Sequence, residues 1–293
     1  MGTRPAVGSL AFAATVAAAA IVAPAPAGAQ LHCRPPADSS EAKLLAFFAG
    51  PMTFSAAPEV MGLARGRVSI AGDLTLVPSP SATISRSSGA CAYKKSENAD
   101  LSPVFPRPRV AVGLGNGITI EASYLPPVTV ADATPNLFGA AISWTPAAVT
   151  LPAGARLGLR AHGTFGGVKG PVTCSRAVLQ QATPANPCYG TTPSRDTYSP
   201  NVRGAEAIVS SRSGTLEWYA GGGVNLLRSY FQVDFTTLGG FHDGNTVEID
   251  LTRVALMAGA VWAWRPSVSL SAQLYSVPDD ATTARLGFAW RAR

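Results

Sequence analysis

From Arg65 onward the chain alternates apolar and polar residues with a period of two. Val68, Ile70, Gly72, Leu74 and Leu76 fall on one face, and Arg67, Ser69, Ala71, Asp73 and Thr75 on the other, because successive side chains of a strand point to opposite sides. The same sorting recurs over 118–124, 157–165, 216–226 and 268–275. The pattern predicts ten strands, near 65–77, 107–114, 118–125, 137–145, 155–165, 204–211, 215–235, 246–264, 267–277 and 283–291, with twelve as the alternative count. Two of these runs are too long for a bilayer and are expected to form a hairpin projecting outward around Gly239-Gly240. Within it Val247, Ile249 and Leu251 are out of phase with Val254, Leu256 and Ala258, which predicts a bulge near Thr252-Arg253.

A soluble sandwich also alternates, so three further features choose the surroundings. The polar faces carry Arg, Glu, Asp and His beside Ser and Thr, which suits a polar lumen. The runs are about ten residues long, the length at which a tilted strand crosses a bilayer. Connections alternate in length: 78–106, 126–136, 166–203 and 236–245 are each longer than the connection that follows, at 115–117, 146–154, 212–214 and 265–266. Short turns at one end and longer loops at the other are the signature of a transmembrane barrel. The expected fold is therefore all-β, a transmembrane antiparallel β-barrel over 65–293. Ser39 to Phe48 precedes it as a short helix, with a Ser cap, Glu41 in the first turn and Gly50-Pro51 as the stop.

Composition agrees. Hydrophobic residues make up 47% and charged residues only 14% of the 293, well below the soluble average of about 25% charged. With 29 Gly and 24 Pro, long helices are broken and short elements favoured. The formal charge of +6 is spread without a basic run, so a nucleic-acid partner is not expected. Residues 1–29 read as a signal peptide, with Arg4, an alanine-rich core and Ala27-Gly28-Ala29. Residues 30–64 are expected to form a periplasmic N-terminal segment or a plug of the lumen.

Four cysteines in an exported chain point to disulfides. Cys174 and Cys188 share one proline-rich polar stretch and are expected to close a local loop, leaving Cys33 with Cys91. No Cys-x-x-Cys spacing occurs and His32, His162 and His242 are far apart, so no metal or other cofactor is expected. Gly113-x-Gly115-x-Gly117 lies between strands and reads as a hairpin, not a phosphate cradle. No serine is tied by spacing to His162, so an enzyme is not expected.

The remaining chemistry lies on the polar faces. Arg67, Asp73, Glu121, Arg156, Arg160, His162, Glu206 and Glu217 are the expected lumen-lining residues. Such charges either pair and fill a small barrel or line a pore and set its selectivity. Trp144, Trp262, Trp264 and Trp290 lie beside predicted short turns or the carboxyl end, where an aromatic girdle would sit at a lipid interface.

With Leu286, Phe288 and Trp290 on one face of the last strand, the chain resembles Gram-negative outer-membrane β-barrel proteins over about 230 residues. The resemblance implies location in the cell outer membrane, with outer-membrane lipid and the barrel assembly machinery as partners. Arg291-Ala292-Arg293 departs from it, since such barrels end on the aromatic residue. The run from Ser55 to Met61, leading into the first strand, resembles the hatch-to-barrel passage of the long-chain fatty acid transporter family, with Ala57-Pro58 where that family has Asn-Pro-Ala. This implies a small apolar solute as ligand. The leading functional expectation is a passive channel or binder for small hydrophobic molecules. The alternative is a surface or structural barrel whose long loops mediate interactions without transport.

Overall fold

A computed structural model describes residues 31–81, 83–85, 88–91, 104–130, 132–147, 149 and 151–292. The signal peptide read at 1–29 and much of the first long connection lie outside the described residues. Ten strands, numbered here in chain order, form one closed antiparallel sheet: β1 (Val68–Leu76), β2 (Val104–Gly115), β3 (Ile118–Leu125), β4 (Thr134–Trp144), β5 (Arg156–Gly170), β6 (Val202–Ser213), β7 (Leu216–Leu227), β8 (Leu251–Arg265), β9 (Val268–Val277) and β10 (Ala281–Arg291). Each pairs with the next, and β10 pairs with β1 from Ala284↔Leu76 to Arg291↔Ser69. Closure leaves the wall without a free edge along most of its circumference.

The burial of the two faces is inverted relative to a protein folded in water. Leu274 (59% exposed), Leu286 (55%) and Ile70 (55%) face outward, whereas Glu121 (2%), Arg285 (3%) and Arg109 (4%) face inward. Beyond the barrel the order reverses. Tyr230–Gln232 pairs with Thr246–Glu248, and Phe235–Thr236 with His242–Asp243, as a hairpin above the wall. There Val247, Ile249, Phe231 and Phe235 are the buried residues.

This reversal corrects the bulge expected at Thr252-Arg253. The β7–β8 ladder runs unbroken from Leu251↔Leu227 to Trp262↔Leu216. Val247, Ile249, Leu251, Ala255 and Met257 are all buried on the inner side. The phase of the strand never changes; the medium outside it does. An apolar residue turns inward where water is outside and outward within the apolar belt, and the sequence shows that switch as a slip in periodicity.

The short connections Asn116–Gly117, Gly214–Thr215 and Pro266–Ser267 lie at one end, here the turn end, and the long ones at the other, the loop end. One pair breaks the expected rule: 145–155, at the turn end, is longer than 126–133 at the loop end. Pro146 and Pro152 keep it from pairing, and it folds instead through a 3-10 turn at Pro152–Gly154.

At the loop end the wall extends into a small sheet. Val168–Gly170 at the end of β5 pairs with Asp196–Ser199, which pairs with Tyr230–Gln232. Thr246–Glu248 follows, and His32–Cys33 joins it in parallel. Disulfides Cys33–Cys91 and Cys174–Cys188 are both formed here. They tie the amino-terminal strand and the long loop to a cap whose apolar core includes Leu45, Tyr198, Phe231 and Val247.

Candidate functional site

The amino-terminal segment occupies the barrel. The helix α1 (Ser40–Met52) lies under the cap, with the Ser39 hydroxyl accepting from the Ala42 amide at 3.1 Å, a side-chain cap of the kind that satisfies an otherwise unbonded helix-start amide. Tyr198, on the outer sheet, donates to the Leu45 carbonyl at 2.7 Å. Burial raises its phenol above the ordinary value. Gly50-Pro51, read from sequence as the stop, is instead the last turn of the helix, which ends at Met52. Guanidinium groups take carbonyls at this end of the helix: Arg285 donates to Gly50 O and Thr53 O, both at 3.0 Å, and Arg107 to Met52 O at 2.6 Å.

From Thr53 the chain runs on through the lumen to the turn end. Arg109 donates to Ser55 O at 2.8 Å and to Ala57 O, and Arg160 to Phe54 O and Ser55 O, both at 2.7 Å. Lower down, the Leu63 amide donates to Thr119 Oγ1 at 2.7 Å, and Gly66 and Arg67 exchange backbone bonds with Gly113. On the opposite side, Ala56, Ala57 and Val60 meet an apolar patch of Ile208, Ala255, Met257 and Val261. The segment is thus two-sided, its carbonyls toward arginines of β2 and β5 and its small apolar side chains toward β6 and β8. Buried carbonyls outside a helix or sheet need donors, and arginine supplies several in one rigid group.

Carboxylates balance the arginines. Arg109 bonds Glu121 and lies 3.6 Å from Asp73, while Arg160 contacts Glu206 at 3.1 Å and Glu121 at 3.6 Å. His162 Nε2 stands 3.2 Å from Glu206. The ring of Phe54 is faced by the guanidinium carbons of Arg109 at 4.5 Å, Arg160 at 5.1 Å and Arg107 at 5.2 Å, a cation–π arrangement.

Of the residues read from sequence as lining the lumen, Asp73, Glu121, Arg160, His162 and Glu206 are buried together in this network. Arg67, Arg156 and Glu217 instead lie at the turn-end mouth, where Arg156 pairs with Glu217 at 3.2 Å. Arg107, Arg109, Arg285 and Phe54 complete the network and were not singled out in the sequence. For Arg107 and Arg109 a signal was present: the two share one strand face, with Pro106 and Pro108 on the other. Trp144, Trp262, Trp264 and Trp290 all point outward, each between about 44% and 53% exposed. Trp218, 58% exposed, joins them.

The described residues also enclose an apolar chamber of about 290 Å³ at the loop end. Phe48 and Met52 of α1 form one side, Phe105, Leu125 and Val168 of the wall the other, and Val128 of the β3–β4 loop the rim; every lining residue is apolar. The wall is unsewn at this point. The β2–β3 ladder begins at Arg109↔Ser123, so Val104–Pro108 pairs with β1 alone, and Tyr124 and Leu125 pair with β4 alone. Pro106 and Pro108 have no amide to donate, and proline is otherwise confined to edge strands. The chamber touches both faces of β2, Phe105 inside and Val104 and Pro106 outside, and so reaches through the seam.

No protein-family model matches the sequence, and no curated protein matches it. Solved structures similar to the chain include outer-membrane β-barrels. The attachment invasion locus protein Ail of Yersinia pestis is 12% identical, with a TM-score of 0.29, over 78% of this chain and 99% of that one. The outer membrane protease OmpT of Escherichia coli is 8% identical, with a TM-score of 0.38, over 77% and 92%. The Ralstonia pickettii toluene transporter TbuX is 8% identical, with a TM-score of 0.32, over 80% and 92%. At such scores the likeness carries no functional argument. None of these comparisons supports the resemblance to the long-chain fatty acid transporter family.

Proposed function

We propose that the protein is an outer-membrane β-barrel, stoppered by its own amino-terminal segment, that binds small apolar molecules in the chamber at the loop end. The observation carrying this reading is a chamber of wholly apolar lining set at a seam in the wall. Residence in a membrane is supported by the outward belt of leucine, isoleucine, phenylalanine and tryptophan, far larger than the apolar patches of water-soluble monomers. A chamber of this size matches the low end of small-molecule sites. Its position gives a solute contact with the hydrocarbon outside without crossing the charged lumen.

The test is binding of N-phenylnaphthylamine, read by its emission, to the protein in detergent or nanodiscs. Leu125→Trp fills the chamber beside the seam and is expected to weaken binding at least tenfold, about 1.4 kcal/mol, while heat-modifiable migration stays that of the parent. Equal affinity of parent and variant for the probe, or for an alkylbenzene competing with it, would refute the chamber as the binding site.

A further inference from the structure

The lining of the loop-end chamber differs from that of most ligand sites. Such sites are largely apolar but carry a few placed polar groups that orient the ligand. Here none of the fourteen described lining residues has a polar side chain, and four of them, Pro51, Pro106, Pro126 and Pro135, have no backbone N–H either. Arg107 follows Phe105 on the inner face, but its guanidinium donates to Met52 O at 2.6 Å and lies 5.3 Å from the Phe105 ring. Phe105 and Met52, not Arg107, line the chamber. A ligand oxygen brought into it gives up water and meets no side-chain donor, and an unpaired buried acceptor is costly.

The lining is also stiff. Proline has a locked ring and no rotamers to adjust, and the five valines are restricted at χ1. Such a wall does not remodel around an extended chain, which must itself fold to enter and loses rotor freedom in doing so. Size sets the third limit. A dry apolar cavity of about 150 Å³ holds one benzene ring, and the chamber has about 290 Å³, room for two fused rings.

We infer that the chamber selects neutral two-ring hydrocarbons, and rejects both ligands bearing an acceptor oxygen and open chains of the same carbon number. This inference rests on the chamber reading above and names its ligand class. The full chain in nanodiscs would be loaded with N-phenylnaphthylamine and the dye displaced by tetralin, α-tetralone, decane or 2-naphthoate, each competitor's concentration being counted in the bilayer. Tetralin is expected to displace the dye at concentrations about tenfold lower than α-tetralone and about tenfold lower than decane, with 2-naphthoate the weakest. Val168→Thr and Val128→Thr each add a donor to the lining with nearly the same shape. At least one of them is expected to bring α-tetralone to within about threefold of tetralin, while decane stays behind. Displacement by α-tetralone, 2-naphthoate or decane as effective as that by tetralin, or a ketone penalty unmoved in both threonine variants, would overturn the inference. Dye that never binds the parent would instead sink the chamber reading, and this inference with it.

Discussion

Replacing Arg109 by methionine is expected to cost about 3–5 kcal/mol, the range for removing one partner of a buried ion pair. The loss is large because the group has several roles at once. Arg109 neutralises Glu121, faces Asp73 at 3.6 Å, and donates to the carbonyls of Ser55 and Ala57. Without it two carboxylates and two backbone oxygens remain in the lumen with fewer donors, and the Phe54 ring loses its nearest cation. The measurement is the temperature or urea concentration at which the barrel loses heat-modifiable migration in detergent. Arg109→Met combined with Glu121→Gln is expected to recover part of the loss, since the desolvated charge goes with its partner. A single variant as resistant as the parent would show that the network is not what seats the segment.

Phe54→Ala is expected to cost a similar amount, about 3–5 kcal/mol for deleting a fully buried phenyl ring, and to change permeability as well. Phe54 is 0% exposed and stands where three guanidinium groups converge. Its removal leaves three facing cations with a void between them, a space that admits water. In planar bilayers the parent is expected to pass no measurable ion current and the variant to show discrete openings favouring anions. Phe54→Leu, which keeps the volume without the ring face, is expected to remain closed but less stable. Current through the parent equal to that through the alanine variant would refute a stoppered lumen.

The wall was legible because bilayer and lumen impose opposite demands on alternate residues, and the demand repeats along every strand. Strand ends agree with the periodicity to within a few residues except where the medium changes. There Val247, Ile249 and Leu251 obey an ordinary buried core, and the same period looks broken. The path of residues 53–64 was not legible. It forms neither helix nor strand, so it has no period, and its donors come from strands far along the chain, such as Arg285, 232 positions from Thr53. The charges on the inner face pointed to a filled lumen without revealing that main-chain carbonyls were among the things filling it. The apolar chamber was hidden for a related reason. Phe48, Phe105 and Leu125 each look like ordinary core or strand residues, and only the missing β2–β3 ladder brings them to one opening.

The bond between Cys33 and Cys91 joins the start of the stopper to the connection beyond β1. Residues 33–91 therefore make a covalent ring whose one arm descends inside the barrel and whose other arm, β1, is a stave of the barrel itself. Such a ring cannot be drawn out as a loose thread toward either mouth while the staves stay joined. In an oxidising compartment the two arms would travel to the far side as one hairpin during assembly, with no separate threading of the amino terminus. In the finished molecule, a solute held as proposed has no way out straight down through the lumen.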